Sequence, residues 1–394
     1  DVATVGAIKA AFPQTHVVMV GAHATAEPEE VLNLNPQIDA VARGEFDVTA
    51  IELAQAIAQN RDWHIVAGLS FRQQAEIIHT AERALIGDLD QFPFVSQIYR
   101  DFLEVKDYFF AAAQYPMVML VTSRGCPHRC QWCLYPQVMH RGKYRLRSSE
   151  SVAAEFAYIA REMPWIREVG IEDDLFTGDK KRLRKICELL IAQRNRLNFW
   201  CDTRVDLDYE DMRLLKEAGC RLLIAGFESA SQEILDRIQK GTQAAEAFEF
   251  MDNARRVNLL VHGCFVLGNP HETRQTMQDT LQFAQKLNPD TAQFFPMMVY
   301  PGTKMYEWAE TNGYLRTKNY NEWLTEEGCH NSIVDLPGLS SEEVLRFCDH
   351  ARRQFYLRKG YLLRKIAQSL TSFQEARRNL KAFRRFARFL VNAS

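Results

Sequence analysis

Six short apolar runs, each followed by an amphipathic stretch, constrain the fold of this 394-residue chain more than any other feature. Strands that alternate with helices in this way indicate βαβ units and a parallel sheet. Six units in series predict a partial (β/α)6 TIM-like barrel, and the chemistry of such barrels lies where the strands end. The runs are MVMLVTS (117–123), REVGIED (167–173), NFWCDTR (198–204), RLLIAGFES (221–229), LVHGCFVLG (260–268) and TAQFFPMMVY (291–300).

The first 58 residues show a shorter alternation of the same kind. Helical patterns at 2–12, 29–34 and 48–58 flank the apolar runs HVVMVG (16–21) and DAVAR (39–43), which predicts a parallel α/β sheet. Further strand pairing is expected around IVAGLSFR (65–72) and DLDQFPF (88–94). The sequence starts at Asp1 and not at Met, so we expect this region to be the remainder of a larger domain.

These patterns predict an α/β protein with four regions in chain order. They are a partial Rossmann-like domain over 1–75, a connector over 76–113, the barrel over 114–313 and a helical C-terminal region over 314–394.

Composition favours a globular cytoplasmic protein. The apolar share of 47% and the charged share of 25% are those of soluble domains. No apolar run approaches the roughly 18 residues of a membrane span, and no secretory leader pattern stands at Asp1. Nine scattered cysteines in a chain of this length do not resemble a disulfide scaffold, so a reducing compartment is expected.

Charge is unevenly distributed, although the net charge is only −2. Residues 351–394 hold twelve Lys and Arg against the single acid Glu375, so this segment carries about +11 and the rest about −13.

A basic amphipathic helix in this segment predicts peripheral contact with an anionic membrane surface. A helix packed on the barrel with a solvated basic face, or a contact with another protein, is the alternative. Nucleic acid is the least supported partner, because the remaining chain is acidic. The predicted apolar face holds Ala376, Leu380, Phe383, Phe386, Ala387 and Leu390, and the basic face holds Arg377, Arg378, Lys381, Arg384, Arg385 and Arg388.

Three of the nine cysteines lie in the stretch RGCPHRCQWCLYPQVM (124–139), just after the first barrel run. Cys126, Cys130 and Cys133 have the spacing C-x3-C-x2-C. Sulfur ligands on a tight loop bind zinc or an iron–sulfur cluster, and both normally take four ligands. His128 and His140 lie nearby, but a closed zinc site needs a second ligand pair, and none has the usual spacing. A cubane held by three sulfurs leaves one iron open for a substrate, so a cluster is favoured over structural zinc or scattered core thiols.

This spacing after a first β/α-barrel strand resembles the radical S-adenosylmethionine (radical SAM) superfamily. The resemblance implies that the three cysteines hold a 4Fe–4S cluster whose fourth iron binds the amino and carboxylate groups of S-adenosylmethionine. One electron then breaks an S–C bond of that molecule and gives a 5′-deoxyadenosyl radical. The residue before the third cysteine is usually aromatic and lies near the adenine, which implies this role for Trp132.

Four further strand ends resemble motifs of the same superfamily. IEDDLFTGD implies that Glu172, Asp173 or Asp174 contacts the amino group of S-adenosylmethionine, whereas from the residues alone they are acids at a helix N-terminus. A strand-end arginine in CDTRVD, Arg204, would bond a carboxylate or ribose, or form a surface salt bridge. The remaining implied contacts are Glu228 and Ser229 of GFESAS near the ribose and methionine, and the main chain at Phe265 and Leu267 of GCFVLGNPHET against the adenine.

The stretches HVVMVGAHATAEPEEVL (16–32) and DAVARGEFD (39–47) resemble the second half of a cobalamin-binding Rossmann-like domain. The resemblance makes Gly21, Ala22, His23, Gly44 and Glu45 candidate cobalamin contacts. Ala22 stands where the usual motif has a second Gly, and the half that supplies an axial His in some members is missing. We therefore predict that this chain binds cobalamin weakly or not at all, while the full-length protein binds it.

Taken together, TSRGCPHRCQWCLYPQ, KYRLRSSE, EDDLFTGD, HGCFVLGNPHET and YPGT look most like cobalamin-type radical SAM proteins of hopanoid biosynthesis. Magnesium-protoporphyrin cyclases and radical C-methylases are similar. The predicted enzyme abstracts hydrogen from an unactivated C–H bond of a small molecule, and a hopanoid or other lipid-like molecule is one candidate substrate. A cobalamin-dependent C-methyltransferase on another small molecule is the alternative.

The non-catalytic alternatives are an iron–sulfur electron carrier and a zinc-stabilised interaction module. An electron donor such as flavodoxin or ferredoxin is the implied partner, and no catalytic residue is assigned.

Overall fold

The computed structural model describes residues 2–108, 110–325, 328, 330–371, 376, 380 and 381. The helices in these ranges are α1 (Val2–Ala11), α2 (Ala22–Ala26), α3 (Pro28–Leu34), α4 (Asp47–Ala58), α5 (Val95–Phe102), α6 (Leu134–Val138), α7 (Ser149–Glu162), α8 (Lys180–Ala192), α9 (Tyr209–Ala218), α10 (Gln232–Arg237), α11 (Glu246–Arg256), α12 (Arg274–Leu287), α13 (Lys304–Thr311), α14 (Ser341–Tyr356) and α15 (Lys359–Thr371). The strands are β1 (Val18–Met19), β2 (Ala40–Ala42), β3 (Leu69–Gln73), β4 (Glu76–His79), β5 (Met117–Leu120), β6 (Ser123–Arg124), β7 (Arg145–Leu146), β8 (Glu168–Ile171), β9 (Asn198–Thr203), β10 (Cys220–Glu228), β11 (Leu260–Leu267) and β12 (Thr291–Pro296).

The chain divides into two compact units that do not follow the chain order. Unit 1 consists of Asp1–Asp88, Arg124–Arg145 and Val299–Gly313. Unit 2 consists of Leu89–Ser123, Leu146–Met298 and Tyr314–Ser394. The cysteine stretch therefore belongs to the same unit as the first 88 residues. The four regions expected from the sequence stay predictions.

Unit 1 contains a four-stranded sheet in the order β1-β2-β3-β4. Strand β2 is its buried centre: Ala40 and Ala42 pack with Leu53 and Phe71 on one face, and Val41 packs with Leu32 on the other. Strands β1 and β2 are parallel, as predicted, but β3 pairs antiparallel with β2, and β4 pairs antiparallel with β3. The sequence indicated no direction for β3 and β4. They form a hairpin, which is necessarily antiparallel.

Two expectations for the connecting segments had different outcomes. Strand β3 lies where the sequence predicted pairing around 65–72. The second segment, 88–94, contains a short 3-10 turn at Leu89–Gln91 and no strand, so that prediction was wrong. Proline has no backbone N–H to donate to a sheet, and Pro93 stands inside this segment.

Unit 2 contains six parallel strands in the order β12-β11-β10-β9-β8-β5. Each strand therefore pairs with the strand of this sheet that comes next along the chain. This arrangement confirms the predicted six β/α units. Along β9, side chains alternate between the two faces: the Phe199 ring lies 5.7 Å from that of Phe156 in α7, whereas Trp200 packs with Met117 and Leu222. A Cβ atom on Gly170 would lie 2.3 Å from the Trp200 ring, so the indole occupies the space that a side chain at 170 would need.

The helical C-terminal region is present and is anchored to β12. The Tyr356 hydroxyl donates to the carbonyl of Ala292 at 2.7 Å and accepts from its N–H at 2.9 Å. The Tyr361 hydroxyl donates to the Asp290 carbonyl at 2.8 Å.

The predicted basic amphipathic helix lies largely outside the described residues. Of the positions on its two faces, only Ala376, Leu380 and Lys381 are described, so the predicted membrane contact stays a prediction. None of the helices in the described part of the chain combines the length and the apolar run that crossing a bilayer requires.

Candidate functional site

The three predicted cluster ligands lie together on one loop of unit 1. Cys126, Cys130 and Cys133 are each half-buried, and α6 begins at the residue after Cys133. The eight described cysteines form no disulfide. Accessible thiols on a short loop can be reached by a metal cluster, so their placement fits the predicted chemistry.

The two ends of this loop meet at Gly125. Its φ of +85° is in the left-handed region, and a Cβ atom there would lie 2.0 Å from the Lys143 carbonyl oxygen and 3.3 Å from the His140 Cβ. No side chain can replace the hydrogen of this glycine without moving the backbone. We call the contact of Gly125 with His140 and Lys143 the neck of the cysteine loop.

The side-chain amide of Gln137 holds the backbone inside the loop. Its Nε2 donates to the carbonyls of Cys130, Gln131 and Cys133 at 3.2, 2.9 and 2.7 Å. Its Oε1 accepts from the N–H of Lys304 at 3.1 Å. One neutral side chain therefore orients two of the three cysteine-bearing segments.

The PGT segment after the sixth strand supports the loop from α13. The Thr303 hydroxyl accepts from the N–H of Tyr306 at 3.2 Å and caps the helix. The Met305 N–H then donates to the carbonyl of Gln131 in the cysteine loop at 3.2 Å. At Gly302 a Cβ atom would lie 2.9 Å from Val138 Cγ2, so only glycine permits this close packing. The sequence singled out this segment without indicating that it lies against the cysteine loop.

Four cysteines outside this loop have thiols that are disfavoured as metal ligands. Burial raises the pKa of the Cys348 thiol to about 12, and it also raises the pKa values of the Cys187, Cys201 and Cys264 thiols. Thiolate is the form that binds metal, so these positions are poor ligands. Within the described ranges, no three His, Cys, Asp or Glu side chains are grouped as ligands of a single metal ion. A cubane does not need such a group, since each cysteine binds a different iron, and the loop fits it in that respect.

Three consecutive acids follow β8 in unit 2, and they differ in exposure. Glu172 and Asp174 are exposed, whereas Asp173 is buried. Asp173 accepts from the Thr122 N–H at 2.6 Å, from the Thr122 hydroxyl at 2.5 Å and from the Ser123 N–H at 3.0 Å. Asp173 thus fixes the end of the first barrel strand, and its oxygens are already engaged. Of the three predicted amine contacts, Glu172 and Asp174 present accessible carboxylates.

Asp202 is an ionisable group that the sequence did not single out. It is on β9, beside Ile224 of β10, on the same strand face as Trp200. Burial raises the pKa of Asp202 well above its usual range, and the charges of Glu172, Asp173 and Asp174 raise it further. Only the alternation along β9 could have indicated this position.

Arg204 and Glu228, both predicted contacts of S-adenosylmethionine, are joined through Lys240. Lys240 donates from Nζ to Glu228 Oε1 at 2.6 Å, and its carbonyl accepts from the Arg204 guanidinium. All three side chains are buried, yet Glu228 Oε2 and Arg204 Nε have no hydrogen-bond partner among the described residues. Buried polar atoms are rarely left unpaired, so this cluster is suited to a ligand that supplies a donor and an acceptor. The sequence did not indicate Lys240, because this residue lies twelve positions after Glu228 and belongs to none of the strand-end motifs.

The strand end that carries Glu228 is locally irregular. The β10–β11 register shifts between Gly226 and Glu228, and Glu228 has a φ of +63°. A Cβ atom on Gly226 would lie 2.3 Å from Glu228 Oε1 and 2.7 Å from Lys240 Nζ. Bulges and left-handed non-glycine residues are found at functional sites, where they re-aim a side chain.

Other predicted S-adenosylmethionine contacts have side chains engaged within the protein. The Ser229 hydroxyl lies 3.3 Å from that of Thr280 and accepts from the Ser231 N–H at 3.1 Å. Phe265 and Leu267 are fully buried, so only their main chain can meet a ligand, as predicted for that motif. Trp132 is half-buried, and its indole Nε1 is enclosed with no hydrogen-bond partner in the part of the chain that the structure describes.

The candidate cobalamin contacts surround the carboxyl ends of β1 and β2 in unit 1. Gly21 has a φ of +105° and Gly44 a φ of +67°, and a Cβ atom on Gly21 would meet open space. Ala22 is buried in α2. Burial lowers the pKa of the half-buried His23, and this effect exceeds the opposite effect of the negative charge of Glu30, which raises the pKa. Glu45 is buried and bonded to other side chains of the unit.

Comparison with known proteins identifies the family. Residues 120–284 match the model of the Radical SAM superfamily. An uncharacterized methyltransferase from Pyrococcus horikoshii is 33% identical over 351 residues, which cover 89% of this chain and 74% of that protein. The chain belongs to the radical SAM superfamily. Membership confirms that the protein is an enzyme, and it implies the 4Fe–4S cluster and S-adenosylmethionine as cofactors.

Two other relatives are less similar to this chain and have different activities. An anaerobic magnesium-protoporphyrin IX monomethyl ester cyclase from Cereibacter sphaeroides is 27% identical, over 88% of this radical SAM chain and 56% of the cyclase. The hopanoid C-3 methylase of Methylococcus capsulatus is 23% identical, over 85% of this chain and 62% of that protein. The chain thus spans little more than half the length of these two relatives. The predicted resemblance to hopanoid enzymes in particular is not confirmed.

A solved structure confirms the fold class. The radical SAM methyltransferase TsrM from Kitasatospora setae, bound to its tryptophan substrate and an S-adenosylmethionine analogue, aligns with a TM-score of 0.66 at 19% identity. The alignment covers 80% of this chain and 61% of TsrM. At this identity the likeness concerns the fold, and the roles of individual residues stay predictions.

Proposed function

We propose that this chain is the catalytic part of a cobalamin-dependent radical SAM enzyme that methylates carbon in a small molecule. The observation that carries the proposal is the loop on which three half-buried cysteines are held by Gln137. The Pyrococcus horikoshii relative, which is named a methyltransferase, supports methyl transfer over other outcomes of radical chemistry. TsrM has been solved with cobalamin and a [4Fe-4S] cluster, which supports the same cofactor pair here.

Each predicted role corresponds to side chains with suitable chemistry. Cys126, Cys130 and Cys133 would hold the cluster, and Glu172 or Asp174 would bind the amino group of S-adenosylmethionine. When bound, the cluster supplies the electron that opens the sulfonium, and cobalamin supplies the methyl group. Arg204 and Glu228, with one unpaired polar atom each, would bond the polar groups of S-adenosylmethionine and exclude water from them.

The substrate and the reductant are assigned only by class. A small organic molecule is the substrate, and an external donor such as flavodoxin or ferredoxin would supply electrons. A hopanoid or another lipid-like molecule remains one substrate class, because the predicted basic helix would bring the enzyme to a membrane surface. Hydrogen abstraction followed by rearrangement or oxidation is the second outcome that we consider, and the magnesium-protoporphyrin cyclases among the relatives favour it.

The proposal is tested by reconstituting the chain with iron and sulfide without oxygen and adding dithionite and S-adenosylmethionine. We expect 5′-deoxyadenosine, measured by chromatography, and a methylated product once cobalamin and substrate are supplied to the full-length protein. Absence of 5′-deoxyadenosine from an iron-loaded full-length protein would rule out the enzyme proposal. A cleaved cofactor with an unmethylated product would favour rearrangement or oxidation.

Lys240→Met is expected to weaken S-adenosylmethionine binding by about tenfold or more, because breaking a buried ion pair leaves an uncompensated charge on Glu228. Isothermal titration of the reconstituted protein measures the Kd, and the melting temperature is recorded in parallel. Lys240→Arg keeps the charge and should recover part of the affinity. Lys286→Met on the exposed side of α12 is the control. An unchanged Kd in a Lys240→Met protein of normal melting temperature would contradict the role of Lys240.

A further inference from the structure

Glu45, which follows β2, is the most heavily engaged acid of unit 1. Only 6% of its surface is exposed. Its Oε2 accepts from Arg145 Nη1 at 2.8 Å and from the Ile86 N–H at 3.3 Å, and Arg145 Nη2 donates to Oε1. Oε1 also lies 2.8 Å from His140 Nδ1. Arg145 is itself fixed by a third hydrogen bond, in which its Nη1 donates to the Ile86 carbonyl at 2.8 Å.

The partners of Glu45 come from both sides of the neck of the cysteine loop. Arg124, two residues before Cys126, has its Nη1 3.5 Å from Glu45 Oε2. The same guanidinium bonds both oxygens of Asp47, at 2.8 and 2.9 Å. His140 and Arg145 lie on the returning side of the loop. A single carboxylate therefore connects the segment that enters the loop with the segment that leaves it.

The charge balance at this position explains why the contact is stable. Burial by itself would raise the pKa of Glu45, but hydrogen bonds from Arg145 and His140 and the charges of Arg145 and Arg124 lower it far below its usual range. These contacts therefore favour the ionised form of the carboxylate. A buried ion without its partners is strongly unfavourable, so these cations and Glu45 depend on one another.

Both oxygens of Glu45 already accept hydrogen bonds from protein groups, so the carboxylate has little capacity left to bind a corrin. This bears on the resemblance that made Glu45 a candidate cobalamin contact. The contacts indicate a different use: the R-G-E stretch reaches the cysteine loop of the same unit. Three thiols bind a cluster well only when the backbone that carries them is already held in place, because the ordering cost is then met in folding and not in binding.

We propose that Glu45 is a positioning residue for the iron–sulfur cluster: it holds the neck of the cysteine loop closed and thereby keeps the three thiols at the spacing that a cubane requires. The inference rests on the proposed function in one respect, namely that Cys126, Cys130 and Cys133 bind the cluster. It assigns to the first 88 residues a part in cluster binding that is separate from cobalamin.

The test compares Glu45→Gln with Glu52→Gln in the full chain, reconstituted anaerobically. Glu52 is a matched control, since it forms an ion pair with Arg83 in the same unit and has no bond to the cysteine loop. Iron release to a chelator is followed by absorbance, and the reduced cluster is examined by electron paramagnetic resonance. We expect Glu45→Gln to release iron about tenfold faster or more, with altered resonance lines, while Glu52→Gln behaves like the wild type. Glu45→Asp, which retains the charge, should recover part of the retention.

Several outcomes separate this inference from its alternatives. Equal acceleration in both variants, or unchanged iron release and resonance lines in Glu45→Gln, would overturn it. Loss of cobalamin with full retention of iron would also overturn it and would support Glu45 as a cobalamin contact instead. Should Glu45→Gln fail to fold, His140→Asn and Arg145→Lys make smaller changes at the same neck, and normal iron retention in both would count against the proposal. A wild-type chain that takes up no iron would refute the proposed function itself, which is a different result from a defect confined to the variant.

Discussion

Replacing Cys130 with alanine is expected to abolish cluster assembly and reduce 5′-deoxyadenosine formation to the level of the iron-free protein. A three-ligand cubane has no spare protein ligand, so loss of one thiolate leaves two irons open and the cluster is shed. Iron content, the absorbance near 400 nm that is typical of such clusters and 5′-deoxyadenosine yield measure the effect. The same result is expected for Cys126→Ala and Cys133→Ala.

Cys187→Ala is the matched control for the cysteine variants. Cys187 is fully buried in α8, and burial raises the pKa of its thiol, so it is a packing residue and no ligand. Its replacement should lower stability slightly and leave iron content unchanged. Full iron content in Cys130→Ala, or iron loss in Cys187→Ala, would show that the cluster is held elsewhere.

Asp173→Ala is expected to destabilise the protein by about 1–3 kcal/mol for each buried donor that it leaves without an acceptor. The substitution leaves the Thr122 and Ser123 N–H groups without their acceptor at the end of the first barrel strand. Urea unfolding of the metal-free protein, followed by circular dichroism, measures the change. Asp173→Asn, which keeps one acceptor oxygen, should be less severe.

The neighbouring acids provide the contrast to Asp173. Asp174→Ala and Glu172→Ala alter exposed side chains, so stability should change by no more than about 0.5 kcal/mol. At least one of these two variants should instead raise the Kd of S-adenosylmethionine, measured by titration of the reconstituted enzyme. If both variants bind S-adenosylmethionine normally while Asp173→Asn folds normally but does not bind it, the buried acid is the contact and the assignment by exposure is wrong.

The sequence was sufficient for features that depend on local periodicity and spacing. The six barrel strands and the three helices expected in the first 58 residues were predicted correctly, because each is encoded within about ten neighbouring residues. The direction of β3 could not be predicted, since a helical connection leaves strand direction open. Periodicity also gave no basis for ranking Glu172, Asp173 and Asp174, whose exposure depends on how Thr122 and Ser123 meet them across the sheet.

Contacts between side chains that lie far apart in the chain could not be predicted from the sequence. Glu45 bonds to side chains 95 and 100 residues away, and no local pattern records such a pair. Gln137 lies inside the recognised cysteine motif, yet its amide donates to backbone carbonyls, which leave no trace in the choice of neighbouring residues. Lys240 lies beyond the strand-four motif and is identified only by its ion pair with Glu228.

The side chain that orients the cysteine backbone, Gln137, carries no charge at any pH. Its bonds to three carbonyls are therefore neither screened by salt nor lost on protonation, in contrast to ion pairs elsewhere on the surface. The arrangement of the thiols should accordingly persist in concentrated salt and in mildly acidic solution, so harsh purification buffers threaten the metal itself before they disturb the peptide that receives it.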